Sequence, residues 1–89
     1  MDTISVFDDS HTLGIAGIIA GIIREHRRAE IQAIGSEAVT RAVNALGLAT
    51  GYLMADDILV TCVPEFSKVL IEDREKTAIK IVVDQFYPR

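Results

Sequence analysis

The pattern of apolar and polar positions divides the chain into six segments. Residues 3–7 (TISVF) alternate polar and apolar side chains, which predicts a short strand. From Leu13 onward, Ile15, Ile18, Ile19, Ile22 and Ile23 recur at three- and four-residue spacing. They form one stripe of an amphipathic helix that ends near REHRR, with Ser10 or Thr12 as its N-cap. Gly14, Gly17 and Gly21 each cost that helix about 1 kcal/mol relative to Ala, so close approach to a sheet or partner helix is expected there. Residues 30–34 (EIQAI) alternate as a second strand, Gly35 forms a corner, and Ser36 opens a second helix running to about Tyr52. Its stripe is Ala38, Val39, Ala42, Val43, Leu46 and Ala49, and Gly51 is suited to end it in a left-handed conformation. Residues 57–63 are apolar at nearly every position, the mark of a central strand. Pro64 is expected to bend or bulge that strand before residues 68–71 continue it. A charged turn, EDREK, leads into a last strand over residues 77–84.

The order β-α-β-α-β-β predicts an α+β, two-layer domain over residues 1–89, with two helices on one face of a four-stranded mixed sheet. Eighty-nine residues bury a modest core, so a second copy sharing apolar surface is expected and a homodimer follows. The single Cys62 excludes an intramolecular disulfide and points to a reducing, cytoplasmic setting. The longest apolar stretch, residues 13–23, is too short to span a bilayer and follows Asp8 and Asp9 rather than basic residues, so no membrane association is expected. Thirteen acidic residues against nine basic ones give a net charge of −4, which opposes non-specific attraction to nucleic acid.

Three places remain candidates for a phosphate-binding surface. A helix N-terminus favours an anion, so Gly35 and Ser36 could receive a phosphate, although Glu37 competes for the same dipole and the commoner role of such a junction is a corner. Arg24, His26, Arg27 and Arg28 close the first helix, either as a solvated cap or as a nucleic-acid patch together with Arg41. Lys68, Arg74, Lys76 and Lys80 lie on the closing hairpin, where Glu72, Asp73 and Glu75 dilute their charge. Lys80 is expected to point away from the core carried by Ile79 and Ile81. Phe7, Tyr52, Phe66, Phe86 and Tyr87 do not form the paired aromatic positions of an RNA-stacking sheet. Phe66 suits core or dimer packing, and Phe86 and Tyr87 suit an edge cover or a partner contact. Catalysis lacks support: His11 and His26 have no metal-ligand spacing, Cys62 reads as a buried hydrophobe, and no Gly-rich phosphate loop is present. No enzyme activity, cofactor or metal is expected.

The residues AEIQAIG (29–35), IAG (15–17), AG before an apolar pair and RE (20–25), CVPEF (62–66) and TAIK (77–80) resemble the bacterial stage V sporulation protein S family, without gaps from about residue 6 to 84. That resemblance implies an Alba-like fold, a homodimer and a developmental role in sporulation, septation or cell-envelope assembly. Relatives typically carry Lys in the loop before the first helix and Lys and Arg on the second, where this chain has Asp9, Asn44 and Thr50. Two functions follow, the first the leading expectation and the second its alternative. One is a regulator that binds DNA or RNA through Gly35, Ser36, Arg41, Arg24, Arg27, Arg28, Lys68, Lys76 and Lys80. The other is a module that keeps the fold but binds an unidentified protein partner instead.

Overall fold

A computed structural model of the chain describes residues 3–86. The elements run β1 (Thr3–Val6), α1 (Thr12–His26), β2 (Arg28–Ile34), α2 (Ser36–Ala55), β3 (Leu59–Ile71) and β4 (Arg74–Phe86). They build one four-stranded sheet of order β1-β2-β4-β3. β1 and β2 run parallel, as the crossover through α1 requires, and the other two pairings are antiparallel. The predicted two-layer α+β architecture is thus the observed one.

Alternation puts Ile4, Val6, Ala29, Ile31, Ala33, Ile79, Ile81 and Val83 on the face that the helices cover, and all are buried. Ala16, Ile19, Ala20 and Ile23 of α1, with Ala38, Ala42, Ala45, Ala49 and Leu53 of α2, close over them. The helix-facing layer is rich in alanine, so the backbones pack close and apolar burial is shared among many small side chains. Ile18 and Val43, assigned by spacing to the core stripes, lie at the edges of those stripes and are each 51 % exposed.

Several boundaries differ from expectation, each for a local reason. The N-cap of α1 is His11, whose Nδ1 accepts from the Gly14 N–H at 3.3 Å. Ser10 instead holds the preceding turn, its Oγ accepting from the Phe7 N–H at 2.8 Å. Gly51 lies inside α2, which continues to Ala55 and stops where Asp57 turns left-handed at φ 59°. There the Asp57 N–H donates to the Met54 carbonyl and the Ile58 N–H to the Leu53 carbonyl, closing the helix end as a Schellman pair. Gly17 and Gly21 have nothing within 4 Å of a Cβ built on them, so within the protomer nothing approaches closely enough to require them.

β3 departs most from expectation. It lies at the sheet edge and runs unbroken for 13 residues through Pro64, which pairs with Ile81. An edge strand tolerates proline because the missing N–H can face solvent. The helices cover only the start of β3, where Val60 packs against the core, so Cys62 is exposed and does not behave as a buried hydrophobe, and Phe66 is 65 % exposed rather than part of the core. Neighbouring atoms still desolvate the Cys62 thiol enough to raise its pKa.

β2 pairs with β4 only as far as Ala78, so the hairpin beyond that point projects as a two-stranded arm. A two-residue turn caps it, with Glu72 and Asp73 both at positive φ, the geometry that matches strand twist. The arm stretches the molecule to 46 Å against widths of 26 and 18 Å.

Candidate functional site

The Gly35–Ser36 corner takes a conformation that favours glycine, at φ 93° and ψ 151°. Its geometry is set from within: the Gly35 N–H donates to the Thr77 carbonyl at 2.7 Å, tying the start of α2 to the base of the arm. One turn on, Arg41 Nη2 lies 3.4 Å from Glu37, and its Nη1 donates to the Ser10 carbonyl at 3.2 Å. Its Nε is buried with no hydrogen-bond partner. This guanidinium therefore clamps the β1–α1 loop to α2, and that loop adds Asp8 and Asp9 to the same end of the sheet.

The other candidate cations divide into paired and unpaired sets. Arg24 donates twice to Asp56 Oδ2, at 3.0 and 2.7 Å. Arg28 lies 3.3 Å from Asp84, and Lys80 lies 3.7 Å from Glu30, whose other oxygen accepts from Thr3. Arg27 ends α1 in a left-handed conformation at φ 66°. His26 lies 3.6 Å from Glu25. Lys68, Arg74 and Lys76 sit exposed on the arm and form no ion pair among the described residues. Alternation sets Arg74, Lys76 and Lys80 in one column on the uncovered face of β4, with Lys68 on the opposite face. Arg24, Arg27 and Arg28 lie at the other end of the sheet, about 34 Å along β4 from the tip at 3.4 Å per residue. The nine predicted residues thus fall into three separate places. Phe86 pairs with Leu59 at the end of β4 and is half exposed, while Tyr87 lies outside the described residues.

Two surfaces lie outside those predictions. The first is the outer side of the helix layer. Residues 13–23 and 42–55 contain no charged side chain, yet Leu13, Ile18, Val43, Leu48 and Tyr52 are all exposed. Five exposed apolar side chains on two helices with long uncharged stretches make this layer a candidate contact surface. The sequence signal for it was the uncharged run of residues 13–23 in one helix and 42–55 in the other.

The second is a groove of about 790 Å³ on the uncovered face of the sheet, between the β1–α1 loop and β3. One polar row crosses all four strands, from Ser5 through Gln32 and Lys80 on the floor to Glu65 at the β3 wall: Ser5 pairs with Gln32, Gln32 with Lys80, and Lys80 with Glu65. Gln32 Nε2 donates to Ser5 Oγ at 3.0 Å. Beside that row Ile34 pairs with Ala78, leaving an apolar depression. Among the described residues no group of three or more His, Cys, Asp and Glu could hold a metal ion, and no helix is long and apolar enough to cross a membrane.

Paired helices on one face of a β1-β2-β4-β3 sheet, with β3 and β4 prolonged into an arm, define the Alba-like class. Alba from Thermoplasma volcanium matches this arrangement with a TM-score of 0.69, over 93 % of this chain and 99 % of its own, at 13 % sequence identity. At that identity the likeness is one of fold. The chain belongs to the stage V sporulation protein S family, whose model matches residues 2–85.

Proposed function

We propose that this sporulation-family protein is a cytoplasmic, homodimeric interaction module that regulates through protein contacts rather than by holding a phosphate backbone. The observation that carries this reading is the pair of uncharged stretches, residues 13–23 of α1 and 42–55 of α2, where exposed Leu13, Ile18, Val43, Leu48 and Tyr52 cost free energy until a protein surface covers them. The charge pattern agrees. Arg24, Arg28, Arg41 and Lys80 each face a carboxylate within 4 Å, which cancels the field a nucleic acid would feel. Sedimentation equilibrium tests the reading: a dimer is expected for the parent protein and a folded monomer for Val43→Asp combined with Leu48→Asp. A parent protein that is monomeric at all concentrations, with no protein partner, refutes it.

A second reading is favoured by one observation, the unpaired Lys68, Arg74 and Lys76 on the projecting arm. A two-stranded ribbon fits the major groove of DNA, and cations on it contact phosphates. Here the arm makes the primary contact, Gly35, Ser36 and Arg41 add a helix N-terminus at its base, and Arg24, Arg27 and Arg28 serve a second stretch of nucleic acid. Three phosphate contacts per protomer give a slope of log K against log salt of about −3. A flat salt dependence, or binding unaffected by Arg74→Ala with Lys76→Ala, rules this reading out.

A further inference from the structure

The uncovered face of the sheet is concave. The β1–α1 loop rises on one side and β3 on the other, and the intervening volume of about 790 Å³ falls within the roughly 300–1,000 Å³ typical of ligand sites. The floor is apolar where Ile34 and Ala78 meet, with Val69 beside them. The walls are acidic: Asp8 and Asp9 stand on the loop and Glu65 on β3, and none of the three forms an ion pair among the described residues. Lys80, the one cation lining the groove, is already opposed by Glu30 at 3.7 Å.

We infer that this groove receives an extended basic segment of a protein partner, with apolar side chains on the floor and Lys or Arg side chains against the walls. The inference rests on the protein-interaction reading above and names the chemistry of its partner. Three uncompensated carboxylates around one neutralised ammonium repel a phosphate backbone and attract cations. The apolar floor selects further, because a purely cationic ligand leaves Ile34, Ala78 and Val69 exposed to water. An extended chain meets both demands. Its side chains alternate direction at about 3.4 Å per residue, so apolar groups reach the floor while their neighbours turn toward the rim. Asp8 and Asp9 on one wall and Glu65 on the other offer carboxylates on both sides of such a chain.

The test is fluorescence anisotropy on the full-length protein with three labelled octapeptides: alternating lysine and valine, alternating glutamate and valine, and lysine alone. The lysine–valine peptide is expected to bind, the all-lysine peptide more weakly, and the glutamate–valine peptide not at all. Asp8→Asn with Asp9→Asn, and separately Glu65→Gln, are expected to weaken binding by roughly two- to five-fold for each carboxylate removed. Ser67→Phe, an exposed position on the groove wall where an aromatic suits a strand, fills the space and is expected to weaken binding about tenfold or more. Asp73→Asn with Glu75→Gln removes two charges at the arm's tip and is expected to leave binding unchanged. Equal losses at loop and tip, indifference to Ser67→Phe, or no binding of the lysine–valine peptide by a protein that remains dimeric overturns the groove assignment alone. Parallel titrations with single-stranded RNA and duplex DNA separate the deeper failure: salt-sensitive binding abolished by Arg74→Ala with Lys76→Ala overturns the protein-interaction reading itself.

Discussion

Replacing Gly35 with alanine tests whether the corner between β2 and α2 is held by backbone conformation alone. At φ 93° and ψ 151° the residue occupies a region that side-chain-bearing residues avoid. A Cβ added there meets nothing within 4 Å, so steric contact contributes nothing and the cost is conformational. That cost is about 1–3 kcal/mol, against about 0.4–1 kcal/mol gained from a stiffer unfolded chain, leaving a net loss near 1–2 kcal/mol. For a domain of this size each kcal/mol moves the melting temperature by roughly 4–8 °C, so Gly35→Ala is expected to melt roughly 4–16 °C below the parent. The assay is a circular-dichroism melt at fixed protein concentration, since any self-association would make the midpoint concentration-dependent. Gly17→Ala is the matched control. It lies within α1 with open space around its Cβ and is expected to stabilise the protomer by about 1 kcal/mol. A Gly35→Ala protein melting at or above the parent refutes the reasoning, because the corner would then have relaxed without strain and released the Thr77 hydrogen bond at no cost.

Three further outcomes are expected. Ile31 is fully buried at the centre of β2, paired with Ile4 and Ile81, so Ile31→Ala should cost about 2–5 kcal/mol in urea unfolding; a loss under about 1 kcal/mol would contradict its place in the core. Arg24→Ala removes a half-exposed pair with Asp56 and should cost no more than about 1 kcal/mol, an effect that shrinks with added salt. The Cys62 thiol, raised by desolvation, should react with iodoacetamide more slowly at pH 8 in the folded protein than in urea. Because folding raises this pKa, its contribution to stability is full below the unfolded value and is lost as pH rises through the folded one. Equal alkylation rates in both states would remove that account.

Much of the architecture was legible because local periodicity carried it. Alternation in residues 3–7 and 30–34, and the three–four spacing after Leu13 and Ser36, mark the inward face of four elements without reference to anything distant. The position of β3 was not legible. A strand apolar on both faces reads the same whether it is central or lies at an edge where a partner completes it, and only long-range pairing with β4 decides between them. The end of α2 escaped because Asp57, rather than the expected Gly51, supplies the left-handed residue. The candidate cations were readable by type, but their partners were not: Asp56 lies 32 residues from Arg24. The lining of the groove joins Ser5, Gln32, Lys80 and Glu65 from four strands, a row that exists only once register is set. One residue more or less in any turn would scatter it across both faces of the sheet.

Pro64 limits how a strand of another chain could add to the exposed edge of the sheet. A bare edge strand of 13 residues is a template on which a strand of another chain can pair, and the exposed Val63, Phe66 and Leu70 would favour such pairing. A proline midway along that edge removes a donor from the row a neighbouring strand would need, so a continuous intermolecular ladder is interrupted at its middle. Sheet extension is thereby discouraged, while the helix layer on the other side of the molecule remains free to meet its own copy. A self-complementary contact closes on itself after two subunits, whereas β3 of one copy pairing with β1, the opposite edge, of the next would continue into a filament. The same residue that suits β3 to the margin of the sheet thus works against growth of that sheet from copy to copy.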